Sequence, residues 1–155
     1  MTMDRAATAA AGQESRQRWL SGLAKVDDAV FDALWRQIEE RLPPHRTLRN
    51  PEIGLTMVRG RTGGTGEAFN IGEMTVTRAS IRFDRGTIGH DYIAGRKPER
   101  AQRIALVDAL FQENAALAAA ALPSLEAAIT GKRDDRARKA AATKVDFFTL
   151  VRGED

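Results

Sequence analysis

The central third of the chain changes its hydrophobic period, and this change most restricts the possible fold. Ile53, Leu55 and Met57 alternate with other residues, which is the period of a half-buried β-strand, here ending at Arg59. A glycine-rich connection through Gly66 follows, and then a second extended run. Because the flanking segments repeat their apolar residues at helical spacing instead, the sequence predicts one continuous sheet-forming stretch with helices before and after it.

The second extended run is predicted to change its buried face. Met74 and Val76 have one parity, whereas Ile81 and Phe83 have the other, so the strand is predicted either to bulge or to change its buried face near residues 78 to 80.

A hairpin turn at Asp84-Arg85-Gly86 should return the chain as a strand with Ile88, His90 and Tyr92 on one face. His90 has two interpretations here, a partly buried hydrogen-bonded side chain or a site residue.

Two helices are predicted before the sheet and two after it. Residues 1 to 13 form a predicted flexible arm, helix begins near Ser15, and Asp27 caps a second helix that ends at Pro43-Pro44. Pro98 opens the third helix, Leu122-Pro123 breaks it, and a fourth helix continues through Ile129. Residues 131 to 136 are predicted to be a polar connection.

The segment from Val145 to Arg152 is apolar on both parities apart from Asp146, which predicts a strand inside the sheet or at an interface. The predicted fold class is therefore α+β, with a mainly antiparallel sheet of about four strands packed with N-terminal, central and C-terminal-half helices. Residues 14 to 155 should form a single domain.

Composition excludes several kinds of chemistry. The chain of 155 residues has no cysteine, which removes disulfides, thiolate catalysis and cysteine-bound clusters. His45 and His90 lie far apart and share no metal-ligand spacing, so no metal site is predicted. No catalytic triad or carboxylate dyad stands out, so no catalytic residue is predicted. The N-terminus lacks a signal-peptide pattern and the longest apolar stretch is too short to span a bilayer, so a cytoplasmic protein is expected.

Positive charge is concentrated in the middle of the chain. Residues 46 to 103 contain eleven Lys or Arg against six Asp or Glu, and ten of the eleven are arginine. The planar guanidinium matches phosphate and carboxylate groups with two hydrogen bonds at a time. An ordinary solvated, salt-bridged surface is the alternative interpretation.

The loop from Gly60 to Gly66 resembles a phosphate-binding loop only in composition. It has no lysine at the Walker position, and it lacks the dinucleotide glycine spacing. Successive glycine amides could still bind an anion beside Arg59 and Arg61, and Thr149-Leu-Val-Arg-Gly153 repeats the arginine-glycine strand end. A mobile hairpin loop is the alternative. The predicted anion-binding or subunit-contacting residues are Arg59, Arg61, Gly63, Gly64, Arg78, His90 and Arg152.

Several long motifs follow one another along the chain. They are Leu48-Arg49-x-Pro51-Glu52-x-Gly54-Leu55-x-Met57-Val58-Arg59-Gly60-Arg61-x-Gly63-Gly64, Phe69-Asn70-Ile71-Gly72-Glu73, Thr75-Val76-Thr77-Arg78-Ala79, Gly95-Arg96, Asp108-Ala109-Leu110, and Ala141-Ala142-Thr143-Lys144-Val145-Asp146-Phe147-Phe148-Thr149-x-Val151-Arg152-Gly153. In this order they resemble the PhnG family of the bacterial carbon-phosphorus lyase system, and the resemblance covers nearly all of the chain from Arg16 onward.

The resemblance implies a subunit that is not catalytic alone. It would act with PhnH, PhnI and PhnL to form ribose 1-methylphosphonate 5-triphosphate from ATP and methylphosphonate, releasing adenine. It would also join PhnJ in a core complex, within a higher-order assembly that contains two copies of this chain. The resemblance assigns the nucleosidase-like step to PhnI. It assigns the iron–sulfur cluster and S-adenosylmethionine to PhnJ, so this chain is expected to bind no cofactor alone.

Two other functions remain open from the sequence. The first is a purely architectural subunit whose arginines pair with acids on its neighbours. The second is a basic nucleic-acid-binding module, although the basic residues lack interleaved aromatic side chains. The PhnG resemblance favours neither nucleic acid nor membrane as a partner.

Overall fold

The computed structural model describes residues 2 to 143, with side chains from Gly12 onward. It confirms an α+β fold with an antiparallel sheet. The elements, in order, are α1 (Thr2–Lys25), α2 (Asp28–Ile38), a short 3₁₀ turn (Glu39–Arg41), β1 (His45–Arg61), a second 3₁₀ turn (Thr62–Gly64), β2 (Ala68–Phe83), β3 (Ile88–Ala94), α3 (Pro98–Glu113) and α4 (Ala115–Ala142). The strand predicted over residues 145 to 152 lies outside the described residues.

The three strands form a meander in the order β1-β2-β3, and each neighbouring pair is antiparallel. The predicted turn after β2 is confirmed, because the Phe83 amide donates to the Thr87 carbonyl at 2.9 Å and Gly86 has a φ of 102°. The predicted face of β3 is also confirmed. Its members Ile88, His90 and Tyr92 pair with alternate residues of β2 and therefore lie on the same side of the sheet.

The predicted bulge occurs at the expected level of the sheet but on the neighbouring strand. The β2–β3 register is unbroken from Val76 to Arg82, whereas β1 shifts twice between Thr47 and Glu52, opposite this stretch of β2. Pro51 explains the position, since proline has no amide to donate and occurs in strands only at edges and bulges. A bulge in β2 at this level was therefore wrong, but the alternative, a change of buried face, is confirmed. Val76 is buried on one parity, and the following buried residues, Thr77, Ala79, Ile81 and Phe83, have the other.

The helices cover one face of the sheet and enclose the core with it. α3 packs so closely on β3 that a Cβ built at Gly89 would lie 1.8 Å from the Ala105 carbonyl oxygen. The largest fully buried apolar side chains come from α1, α2, β2, α3 and α4. They are Leu23, Phe31, Ile38, Ile81, Phe83, Ile104, Val107, Phe111 and Leu125.

The helix boundaries differ from the prediction in three places. α1 begins at Thr2 rather than near Ser15, which fits the high helix propensity of its alanines, and the flexibility of residues 1 to 13 stays a prediction. The break before α4 occurs at Asn114, whose side chain accepts a hydrogen bond from the Leu117 amide, and Pro123 lies inside α4. Residues 131 to 136, predicted to be a connection, continue this helix.

A two-stranded arm extends from the three-stranded body. β3 pairs only with residues 76 to 82 of β2, so residues 53 to 75 form a hairpin without a third described strand; we call this hairpin the arm. Ile53, Leu55 and Met57 are exposed, contrary to the predicted half-buried strand, because no described helix reaches their face. Phe69, Ile71 and Met74 are exposed as well.

Candidate functional site

The predicted site residues divide into two groups far apart on the sheet. Arg59, Arg61 and the two glycines lie at the tip of the arm, whereas Arg78 and His90 lie on the body. Ten residues of β2 separate Ala68, the partner of Arg61, from Arg78, which corresponds to about 34 Å of extended strand. The two groups therefore cannot bind one small ligand together. Arg152 lies outside the described residues.

The tip of the arm is a tight glycine turn. Gly63 and Gly64 have φ values of 59° and 84°, which glycine adopts without strain. The Gly66 amide donates to the Thr62 carbonyl at 2.8 Å, and the Arg61 guanidinium donates to the Gly66 carbonyl at 3.2 Å. Within the described part of the chain Arg59 forms no salt bridge, so its charge is available for an outside anion or acidic group.

A second place with concentrated charge is an open cavity of about 670 Å³ where α1 lies beside β3; we call it the edge cavity. Cross-strand pairing sets Arg78 opposite Tyr92 and Ser80 opposite His90 on the face of the sheet that the helices leave open. The Ser80 hydroxyl and His90 Nδ1 are 2.9 Å apart. The polar lining residues are Ser21, Lys25, Arg49, Arg78, Ser80, His90, Asp91 and Tyr92.

Glu52 holds the two arginines of the edge cavity in place. Its Oε1 atom accepts from Arg49 at 2.7 Å and from Arg78 at 2.5 Å, and these hydrogen bonds, that of Arg78 first, lower the pKa of Glu52. Two cations share one carboxylate, so the group keeps a net positive charge. Because each guanidinium has five N–H donors, both arginines can bind a further anion.

Asp91 is the most perturbed acid in the described chain. It lines the edge cavity but is only 7% exposed, and its Oδ2 atom has no hydrogen-bond partner among the described residues. Burial raises its pKa to about 7, against lowering effects of the Tyr92 amide and the Arg100 charge. A carboxyl that is partly protonated near neutral pH can donate a hydrogen bond to an anionic ligand.

The sequence analysis missed the buried polar residues that position this cavity. Asp108 is fully buried and accepts hydrogen bonds from Arg16, Trp19, Gln112 and the His90 amide, which joins α1, α3 and β3.

Arg100 donates to the Leu23 and Val26 carbonyls at the end of α1 and pairs with Asp28. The Asp108-Ala109-Leu110 motif was the only available signal, and it could not indicate these contacts.

Two further observations limit the chemistry. No group of three His, Cys, Asp or Glu side chains in the described residues could hold a metal ion. Among the described helices, none combines the length and the apolar character required to cross a bilayer. The described part of the site offers anion-binding groups on an α+β scaffold, together with an exposed apolar arm.

Such an arrangement is typical of a subunit that binds an anion or a neighbouring protein. Residues 14–153 match the family described as phosphonate metabolism protein PhnG. The chain is 43% identical over 147 residues to the alpha-D-ribose 1-methylphosphonate 5-triphosphate synthase subunit PhnG of Rhizobium meliloti (strain 1021), and the match covers 94% of each chain. The chain therefore belongs to the PhnG family, which confirms the resemblance seen in its motifs.

Proposed function

We propose that this chain is a non-self-sufficient subunit of the carbon-phosphorus lyase complex that binds phosphate-bearing groups at the edge cavity. In this role it supports transfer of the ribose 5-triphosphate unit of ATP to methylphosphonate with release of adenine. The name of the Rhizobium meliloti relative, a subunit of alpha-D-ribose 1-methylphosphonate 5-triphosphate synthase, supports the role as a subunit and the reaction product. The observation that carries the role of the chain is the cationic edge cavity, where Arg49, Arg78 and Lys25 outnumber the two nearby acids, Glu52 and Asp91.

The size and chemistry of the edge cavity support a triphosphate or phosphonate ligand. A volume of about 670 Å³ lies within the range of small-molecule sites. Arginine forks bind tetrahedral oxyanions with paired, charge-assisted hydrogen bonds. The Ser80 hydroxyl and the His90 imidazole, held 2.9 Å apart, add further hydrogen-bonding groups beside the arginines.

The chemical step belongs to partners in this proposal. PhnH, PhnI, PhnJ and PhnL are the proposed partners, in a cytoplasmic assembly with two copies of this chain. This chain binds no cofactor alone, while ATP is the substrate of the complex. The iron–sulfur cluster and S-adenosylmethionine belong to PhnJ.

Arg78→Ala tests the binding role in the reconstituted complex. We expect the complex to assemble and its requirement for ATP or methylphosphonate to rise about 10- to 100-fold, the loss of one charge-assisted interaction of about 1.5–3 kcal/mol. Arg85→Ala, in the exposed β2–β3 turn, is the matched control and should leave adenine release unchanged. Unchanged kinetics for Arg78→Ala would exclude the edge cavity as a substrate site.

A purely architectural role is the second candidate function, and the apolar arm favours it. Eight large hydrophobic side chains are exposed on the described chain, six of them on the arm. An isolated two-stranded hairpin is at best marginally stable in water, so the arm is suited to pack against another protein. Failure of the Arg78→Ala complex to assemble would support this candidate instead.

A further inference from the structure

We propose that Tyr92 stacks on the base of a nucleotide whose phosphate groups bind the arginines of the edge cavity. The inference rests on the proposed function, because it names the ligand class of the same cavity and one residue that selects it. Tyr92 lines the edge cavity and is 54% exposed. Of the eight large hydrophobic side chains exposed on the described chain, only Tyr92 and Leu48 lie outside the arm. The Tyr92 ring is therefore an exposed aromatic surface within the cavity itself.

The backbone of β3 sets Tyr92 close beside Arg78. The two residues lie directly opposite each other on β3 and β2. The His90 amide points away from β2, because it donates to Asp108 on α3 at 3.0 Å. Since peptide groups alternate in direction along a strand, the Tyr92 amide also points away, and its pair with Arg78 is of the non-hydrogen-bonded type. Cα atoms in such pairs lie about 4.5 Å apart, which brings the two side chains closer than in the hydrogen-bonded type.

The guanidinium of Arg78 is nevertheless directed away from Tyr92. Its Nε and Nη2 atoms both bind Glu52 on β1 at 2.5 Å, and β1 lies on the side of β2 opposite to β3. Both cation–π contacts of the described residues join arginines of α3 to rings of α2, so no described cation covers the Tyr92 ring. The ring can therefore stack on one part of a ligand while Arg78 binds another part.

The aromatic and cationic groups follow the order of the groups in a nucleotide. Tyr92 lies on β3, Arg78 on β2 and Arg49 on β1, and two strand spacings amount to about 10 Å. In a nucleotide the ribose likewise separates the flat base from the phosphate groups. A phosphate or phosphonate alone would bind the arginines and leave the Tyr92 ring without a contact. The geometry therefore favours a ligand with an aromatic ring at one end and an oxyanion at the other.

A mononucleotide fits this arrangement better than a nucleic-acid strand does. Proteins that bind single strands stack successive bases on several aromatic side chains. Among the large hydrophobic side chains that the described body exposes, Tyr92 is the single aromatic one. One ring beside one cationic group corresponds to one base with its own phosphates.

Kinetics of the reconstituted complex test the role of Tyr92. Tyr92→Ala should raise the KM for ATP about tenfold or more, through the loss of one stacked base, and leave the KM for methylphosphonate unchanged. Tyr92→Phe is the matched control, because it keeps the face of the ring, and it should keep both KM values. Equal rises for the two substrates, or a Tyr92→Phe complex as impaired as Tyr92→Ala, would overturn the inference.

Photolabelling of the original complex gives a result that needs no variant. An azido-ATP with its photoreactive group on the base should label residues of β3 (Ile88–Ala94) in this chain, as identified by mass spectrometry of the peptides. Excess ATP should prevent this label, and the same concentration of inorganic tripolyphosphate should prevent it less, because tripolyphosphate has no base. The absence of an ATP-sensitive label in β3 would overturn the inference, even where Tyr92→Ala fails to assemble.

Arg78→Ala separates a failure of this inference from a failure of the proposed function. A raised requirement for ATP in Arg78→Ala, together with an unchanged KM for ATP in Tyr92→Ala, would mean that the edge cavity binds phosphate groups without the base. The inference would then fall and the proposed function would stand. Unchanged kinetics in both variants would exclude both.

Discussion

At the scale of single residues, Asp91 has the least favourable environment among the described acids. It is buried, one of its oxygens has no described partner, and its pKa is raised to about 7. The folded chain therefore binds more protons than the unfolded chain between about pH 4 and pH 7. The contribution of Asp91 to the free energy of unfolding therefore falls as pH rises from about 4 to about 7, and it stays constant at higher pH.

Asp91→Asn should remove this pH dependence. The amide cannot ionise, so the variant should gain stability over the original chain, with the gain about 2–3 kcal/mol larger at pH 8 than at pH 5. Urea unfolding of the full chain at both pH values measures this. Asp134→Asn, at an exposed position on α4, is the control, and it should change the free energy of unfolding by the same small amount at pH 5 and at pH 8. If the free energy of unfolding depended on pH in the same way for the original chain and for Asp91→Asn, the prediction would be contradicted.

Arg59 and Arg61 allow a second test at this scale. If they contact substrate phosphates, each change to alanine should preserve assembly and cost about 1.5–3 kcal/mol of binding, seen as a raised requirement for ATP or methylphosphonate. If they contact a partner protein, assembly itself should fail in a copurification experiment. Arg85→Ala is again the matched control. An intact complex with unchanged adenine release in both variants would show that these arginines are ordinary surface residues.

The sequence predicted these residues only in part, for a physical reason. Arg78 and His90 were identified as candidates, and they line one cavity because Tyr92 and His90 pair with Arg78 and Ser80 across β2 and β3. Lys25 and Asp91 join them through the packing of α1 against β3, which no local pattern encodes.

At the scale of elements, local rules succeeded where one residue decides the geometry. Asp84-Arg85-Gly86 formed the predicted turn because glycine supplies the required positive φ.

The same rules failed for Pro123, which α4 contains, since buried Ala118, Ala121 and Leu125 anchor the helix on both sides of it. Alternation along β1 correctly indicated a strand. It could not indicate that the helices end before they cover Leu55.

The contact between α3 and β3 gives the sharpest element-scale prediction. Gly89→Ala would place a methyl group 1.8 Å from the Ala105 carbonyl, so the helix must move, and we expect a loss of at least about 3 kcal/mol in the free energy of unfolding. Gly72→Ala, in β2 of the arm, has nothing within 4 Å and is the matched control. Urea unfolding of both variants measures the difference, and equal stabilities would show that α3 packs less closely than described.

At the scale of the whole molecule, the described residues combine a well-buried body with an arm that none of them covers. Ile81, Phe83 and Ile104 are fully buried in one core, whereas Leu55 and Ile71 on the arm are each more than 60% exposed. Leu55 and Met57 are both exposed on one face of the arm. That face is the part of the described chain most suited to a neighbouring subunit.

The isolated chain should therefore self-associate or be poorly soluble, and coexpression with PhnI should restore solubility. Changing both Leu55 and Met57 to Asp should reduce self-association of the isolated chain, measured by analytical ultracentrifugation, because charge on this face opposes its burial. Thr47→Asp, on β1 but outside the arm, is the control and should not reduce it. The same double variant should lose copurification with PhnI. A soluble, monodisperse original monomer with no affinity for PhnI would show that the apolar arm is not an assembly surface.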